Sequence, residues 1–111
     1  MSEFTEKRRH VRYTCDIGVE IRTGDTGAGY WGTLADICSG GCYINTFSPL
    51  PLGTLVVLLI KTSGDEVNAR GKVVSSHPGV GMGIEFEEFV TQHDEAQFNH
   101  LIGSLARSAT A

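Results

Sequence analysis

The sequence predicts an all-β domain: a small six-stranded antiparallel β-barrel closed by one C-terminal helix. Three observations predict it. Short apolar segments alternate with polar residues at period two through much of the chain. Gly- and Pro-containing turn segments break these runs at short intervals. Only beyond Thr91 does the apolar period lengthen to that of a helix.

Cys15, Ile17, Val19 and Ile21 alternate with polar residues and predict a first strand with one buried face. Gly24-Asp25-Thr26-Gly27-Ala28-Gly29 reads as a hairpin loop of residues that tolerate positive φ, and a second strand runs from about Tyr30 to Ile37. Ser39-Gly40-Gly41 is a tight corner, beyond which Cys42 to Thr46 continues extended. Pro49 and Pro51 bar a helix and mark a connection. Leu55 to Ile60 is an unbroken apolar run whose length and β-branching favour a buried strand. Ser63-Gly64-Asp65 turns the chain into a strand from Val67 to Ser76. Pro78-Gly79 turns it into the last strand, Val80 to Phe86, where Met82, Ile84 and Phe86 share a face. Six strands joined in sequence by short turns favour a barrel, because closure removes the edges that a flat sheet leaves exposed. Thr91 with Asp94 three residues on resembles a capping box, and Phe98, Leu101, Ile102 and Leu105 recur at helical spacing. Residues 92–106 are therefore expected as one amphipathic helix covering apolar barrel surface.

At 111 residues the chain is one domain, long enough for a core without disulfides or metal. The organisation expected is a flexible basic arm over residues 1–13, then the barrel and its helix over 14–111. Three cysteines without framework spacing fit reduced thiols in a reducing compartment. No run of 18 apolar residues exists and Met1 to Glu6 has no signal-peptide character, which predicts no membrane insertion, no export and a cytoplasmic location. The net charge of −4 is unevenly spread. Residues 1–12 carry four basic and two acidic residues, whereas the rest carries five basic and eleven acidic. DNA and RNA binding draw affinity from neutralising many phosphates over a broad basic surface. One basic knot on an acidic body suits a small anionic ligand instead.

That knot contains Arg8, Arg9 and Arg12, with Arg8 and Arg12 in an R-x-x-x-R frame. Guanidinium groups present planar donor forks that match phosphate and the O6/N7 edge of guanine. Asp36 supplies the complement, since a carboxylate can accept from both N1–H and N2–H of guanine's Watson–Crick edge. Together they point to an anionic guanine nucleotide. Asp36 opens the segment Asp36-Ile37-Cys38-Ser39-Gly40-Gly41. The two motifs, in this order and in a chain of this size, resemble the PilZ domain family, with R-x-x-x-R in an N-terminal stretch and D/N-x-S-x-x-G at a strand end. Gly83-Ile84-Glu85-Phe86 also looks like that family's closing strand, so the resemblance runs from Glu6 to about Leu105. Cys38 departs from the pattern, standing where the family has Ser.

The resemblance implies a cytoplasmic, non-catalytic receptor for the bacterial messenger cyclic di-GMP. Arg8 and Arg12 would clamp phosphate and guanine with Arg9 assisting, Asp36 would read a guanine edge, and Gly41 would let the corner close on the ligand. Cys38 would occupy a ligand-contacting position with a thiol, a weaker hydrogen-bonding group than a hydroxyl. A single-domain receptor must signal by a changed surface, so an unidentified protein partner is implied.

Each feature also has a plainer reading. The arginines alone read as a solvated basic tail, and Asp36 as a turn residue. Gly40 and Gly41 serve a tight corner equally well, or leave N–H groups outward as an anion-binding nest. Gly79-Val80-Gly81-Met82-Gly83 lacks dinucleotide-binding spacing and fits close strand packing. His77, His93 and His100 read as surface or helix-face residues. Trp31 and Tyr43 read as core or interface, although an aromatic near the corner could stack on a base. Two rival functions follow: a degenerate adaptor of the same family that has lost the nucleotide, supported by Cys38, and a metal protein or enzyme using Cys38, Cys42 and His10. The second lacks the paired ligand spacing of zinc sites, and no metal or catalytic residue is assigned.

Overall fold

The computed structural model describes residues 11–23 and 29–110. Arg8, Arg9, His10 and most of the expected Gly24–Gly29 hairpin loop lie outside the described residues. The elements are β1 (Tyr13–Thr23), β2 (Gly29–Cys38), β3 (Gly41–Asn45), β4 (Leu55–Thr62), β5 (Asp65–His77), β6 (Gly81–Phe89) and α1 (Gln92–Thr110).

The six strands form a closed antiparallel barrel in the order β1-β2-β3-β6-β5-β4, with β4 pairing back onto β1. This order is not sequential. The Pro-containing connection over residues 46–54 carries the chain from β3 to β4, while β6 returns beside β3. Leu50 turns inward from that connection against the core, its N–H pointing to Met82 Sδ at 3.4 Å.

Period-two alternation does place the core. Val19 and Ile21 of β1, Leu34 of β2, Ile44 of β3, Val56, Leu58 and Ile60 of β4, Val67 and Val73 of β5, and Met82 and Ile84 of β6 are buried together. The apolar run in β4 is a strand, as expected, but Leu55 at one end is exposed. β6 runs on to Phe89 because Glu88 and Phe89 pair with Arg70 and Ala69 of β5, a tertiary match that no apolar pattern announces. The helix likewise extends to Thr110, since Arg107-Ser108-Ala109-Thr110 holds neither Gly nor Pro to stop it.

Helix α1 packs against the barrel through Phe98, which meets Phe86 edge-on at 5.3 Å between centroids and Phe89 at 4.8 Å. Leu101, Ile102 and Leu105 add partly buried contacts. Its start is fixed by a reciprocal cap. The Asp94 N–H donates to Thr91 Oγ1 at 3.1 Å, and Asp94 Oδ2 accepts from the Thr91 hydroxyl at 2.7 Å and the Thr91 N–H at 3.0 Å. Asp94 Oδ1 accepts from the Asn68 N–H at 2.9 Å and the Asn68 side-chain amide at 3.1 Å, tying the cap to β5. Burial pushes this carboxyl's pKa up, but the bonds from Asn68 and Thr91 outweigh it and hold the pKa below the ordinary carboxylate value.

A carboxyl with a depressed folded pKa contributes stability that is complete above its unfolded pKa and is lost as pH falls through the folded one. Asp94→Ala should therefore destabilise the protein by about 2–3 kcal/mol at neutral pH. The gap to the unmutated protein should shrink toward acid pH. Denaturant melts at pH 7 and pH 3 check this, and an equal gap at both would remove Asp94 as an acid-sensitive tether.

Candidate functional site

Asp36 sits near the end of β2, where both of its neighbouring pairings slip. Against β1 the register shifts between Thr14 and Ile17, and against β3 it shifts between Leu34 and Asp36. Each shift places an extra residue in one strand, which bends it and re-aims side chains. Thr14 remains opposite Asp36, so the residue just ahead of β1 falls beside it. Arg12 Nη1 donates to Asp36 Oδ1 at 3.0 Å, with the arginine side chain 66% and the aspartate 29% exposed. A pair this open to water contributes little stability. It engages Asp36 through Oδ1, and a carboxylate can accept several further bonds.

Arg12 also lines a cleft of about 420 Å³ on the outside of the barrel. Cys38, Gly41 and Tyr43 contribute from the corner side, and Ser75, Gly83 and Glu85 from β5 and β6. Arg12, Cys38 and Gly41 are thus brought to one cleft, and Asp36 joins them through Arg12.

Gly41 stands where it does because of the barrel. It pairs with Glu85, and a Cβ on it would run into the carbonyl oxygen of Ile84. That backbone cannot yield as a side chain would, so strand packing alone demands glycine here. The Phe86 N–H donates to the Gly40 carbonyl at 2.9 Å, pinning the corner onto β6. Neither Gly40 nor Gly41 takes a positive φ; among the described residues only Gly53, Gly64 and Gly79 do. The corner therefore lacks the αR-αL alternation of an anion nest, and a phosphate would depend on arginine instead.

Cys38 is 8% exposed and contributes to the cleft wall. Cys42, its neighbour across the corner, is buried, and burial pushes its thiol pKa well up, with the Asp36 charge adding to the effect. Cys15 donates to the Leu34 carbonyl at 3.6 Å, and burial followed by the nearby Asp36 and Asp16 raises it to about 11. Burial thus moves Cys15 and Cys42 away from the thiolate form that a nucleophile requires. Among the described residues no group of three or more His, Cys, Asp or Glu side chains is gathered for a metal ion.

The sequence did not point to Val74, Ser75 or Glu85 as cleft residues. Ser75 was hidden by a bulge between Val73 and Ser75, which breaks the β5 alternation, turns Ser75 outward after the already exposed Val74 and lets Ser75 Oγ accept from the Gly83 N–H at 3.1 Å. Glu85 does carry a signal, since it alternates with buried Ile84 and must point outward, opposite Gly41. Gly81 and Gly83 do serve close packing: a Cβ on Gly81 would lie 2.7 Å from the Tyr43 ring, and one on Gly83 would lie 2.5 Å from Ser75 Oγ. His77 is an exposed residue, as expected, but is also bonded to the Tyr43 hydroxyl at 3.0 Å.

The PilZ domain family profile matches residues 6–104. No curated protein matches at a significant level. Among solved structures, the chain is similar to the PilZ domain of CeSA from a cellulose-synthesising bacterium, with 21% identity, a TM-score of 0.69, and coverage of 86% of this chain and 98% of that one. It is similar to the PilZ domain of YcgR from Escherichia coli with c-di-GMP, at 15% identity, a TM-score of 0.67, and coverage of 93% and 94%. The MrkH–c-di-GMP complex of K. pneumonia gives 20% identity and a TM-score of 0.72, covering 93% of this chain but 53% of that one, so the chain spans about half of MrkH. The barrel order, its C-terminal helix and the span of the family match agree: the chain belongs to the PilZ domain family.

Proposed function

We propose that this protein is a receptor for cyclic di-GMP that catalyses nothing itself and passes the binding event to a protein partner in the cytoplasm through a changed surface. The observation that carries the reading is the contact between Arg12 and Asp36 beside the cleft walled by Cys38 and Gly41. A guanidinium and a carboxylate held together there supply the donor fork for phosphate or guanine O6/N7 and the acceptor for guanine N1–H and N2–H. Two family members of the same fold, YcgR and MrkH, are solved with c-di-GMP, which supports the choice of ligand. In this reading Arg8 and Arg9 join Arg12 around the phosphates, and residues 1–12, ahead of β1, act as an arm that ligand draws onto the barrel. With their thiol pKa values raised by burial, Cys15 and Cys42 weigh against a reading built on a nucleophilic thiolate.

Calorimetry with cyclic di-GMP tests the proposal. Arg12→Ala should weaken binding by about 1.5–3 kcal/mol, the range for losing charge-assisted hydrogen bonds. Its melting temperature should barely move, because the lost ion pair is solvent-exposed. No binding by the unmutated protein, or equal binding by Arg12→Ala, would overturn the reading.

Base choice depends on Asp36, since adenine presents an acceptor at N1 where guanine presents a donor. Asp36→Ala should narrow the preference for cyclic di-GMP over cyclic di-AMP. If the unmutated protein binds both equally, Asp36 is not the reader.

Cys38→Ser places the family's hydroxyl at the cleft wall. Affinity should rise by about 0.5–1.5 kcal/mol, the net value of one hydrogen bond, while stability without ligand falls as a hydroxyl replaces a buried thiol. Unchanged affinity with lowered stability would make Cys38 a core residue only.

A further inference from the structure

Tyr43 is the direct cross-strand partner of Asp36, so the two side chains stand next to each other on one face of the β2–β3 hairpin. Its ring does not stand up from the sheet. It reaches sideways across β6, where Gly81 and Gly83 leave room: a Cβ on Gly81 would lie 2.7 Å from Tyr43 Cε2 and 3.1 Å from Cζ, and one on Gly83 would lie 3.9 Å from Cδ1. On the far side the Tyr43 hydroxyl is bonded to His77 Nδ1 at 3.0 Å, and the two rings lie 6.0 Å apart. The ring is thus fixed at both ends, by its backbone on β3 and by His77 on β5. One side is seated on a glycine strand, and the half-buried remainder lines the cleft that Arg12 and Gly41 also line.

We propose that Tyr43 is the stacking platform for the guanine whose edge Asp36 reads. The inference rests on the cyclic di-GMP reading given above and adds a specificity residue to that site. A purine lying on the ring over β6 would reach back across β3 with its edge toward the Asp36 carboxylate on β2, so one cross-strand pair would hold a base by face and by edge. A ring immobilised beforehand loses little freedom when a base settles on it, which makes the contact more effective than one from a freely rotating side chain. His77 acts as a positioning residue, since it touches the ring and not the base. Filling the glycine furrow is the ring's structural duty and leaves its outer side open for the second.

Calorimetry and ligand NMR with cyclic di-GMP would be run on the unmutated protein, Arg12→Ala, Tyr43→Phe and Tyr43→Leu. A base on an aromatic platform is held by about 1–3 kcal/mol, so Tyr43→Leu should weaken binding about fivefold to 150-fold. Tyr43→Phe keeps the ring, loses the His77 bond and should weaken it about twofold to threefold. The guanine H8 resonance of bound ligand should move upfield by ring current with the unmutated protein and with Tyr43→Phe, and should not with Tyr43→Leu. That signature is blind to a merely structural role, and the unmutated protein and Tyr43→Phe still supply it if Tyr43→Leu does not fold. Binding that depends on Arg12 but is within twofold of normal in Tyr43→Leu, or an H8 resonance unshifted in the unmutated complex, would overturn the platform and leave the receptor reading intact. Absence of binding by the unmutated protein would overturn both.

Discussion

Six short strands close into a barrel only if several of them bend, and in this protein the bends make the site. Register shifts interrupt β1 against β2, β2 against β3, and β5 against β6 in two places. Two of these flank Asp36, and another brings Ser75 to the cleft. An extra residue on one strand of a pair bends that strand and increases its twist. Without the bends, Arg12 would not meet Asp36 and β5 would keep one side-chain alternation along its length. The irregularities that complete the barrel are thus the ones that aim the polar groups.

Glycine does a related job on the other side of the cleft. Gly41 is required because β6 passes too close for a Cβ, and Gly81 because the Ile44 carbonyl of β3 does the same there, with the Tyr43 ring lying across it as well. A motif glycine can therefore be explained by packing while still forming the wall of a cleft. The two demands coincide because a strand that approaches this closely has no side chain to fill the space above it. What remains is a shallow surface on which Arg12, Asp36, Tyr43 and Glu85 are the chemistry on offer. Of the cysteines, Cys42 belongs to the core, where a thiol is a small apolar filler, whereas Cys38 is buried at the cleft wall.

The barrel also needs its helix. Phe86, Phe89 and Phe98 form one aromatic cluster, and the Asp94 cap ties α1 to Asn68 of β5. No helix among the described residues is long and apolar enough to cross a membrane, and the apolar face of α1 is spent on the barrel. The helix lies at the C-terminal end of β6, whereas the cleft spans β3, β6 and β5 beside the corner. Glu85 on the cleft and Phe86 beneath the helix are sequence neighbours on β6, so a shift of that strand would be felt at both.

The sequence by itself determined which residues face inward, because period-two burial is a local property that each strand carries alone. Val19, Ile21, Met82 and Ile84 were legible for that reason, as were the helix, its cap and the pairing of two motifs that marks the family. Only the tertiary structure decided the strand order, since whether β3 meets β4 or β6 depends on how a Pro-containing connection is laid across the barrel. It alone decided that Ser75 and Tyr43 share a cleft, because a bulge reverses alternation without leaving a mark in composition, and because the direction of an aromatic ring depends on glycines some forty residues away. Arg12 and Asp36 could be named from the sequence, but their contact could not. It exists because the barrel bends β1 and β2 together at the one place where both residues emerge.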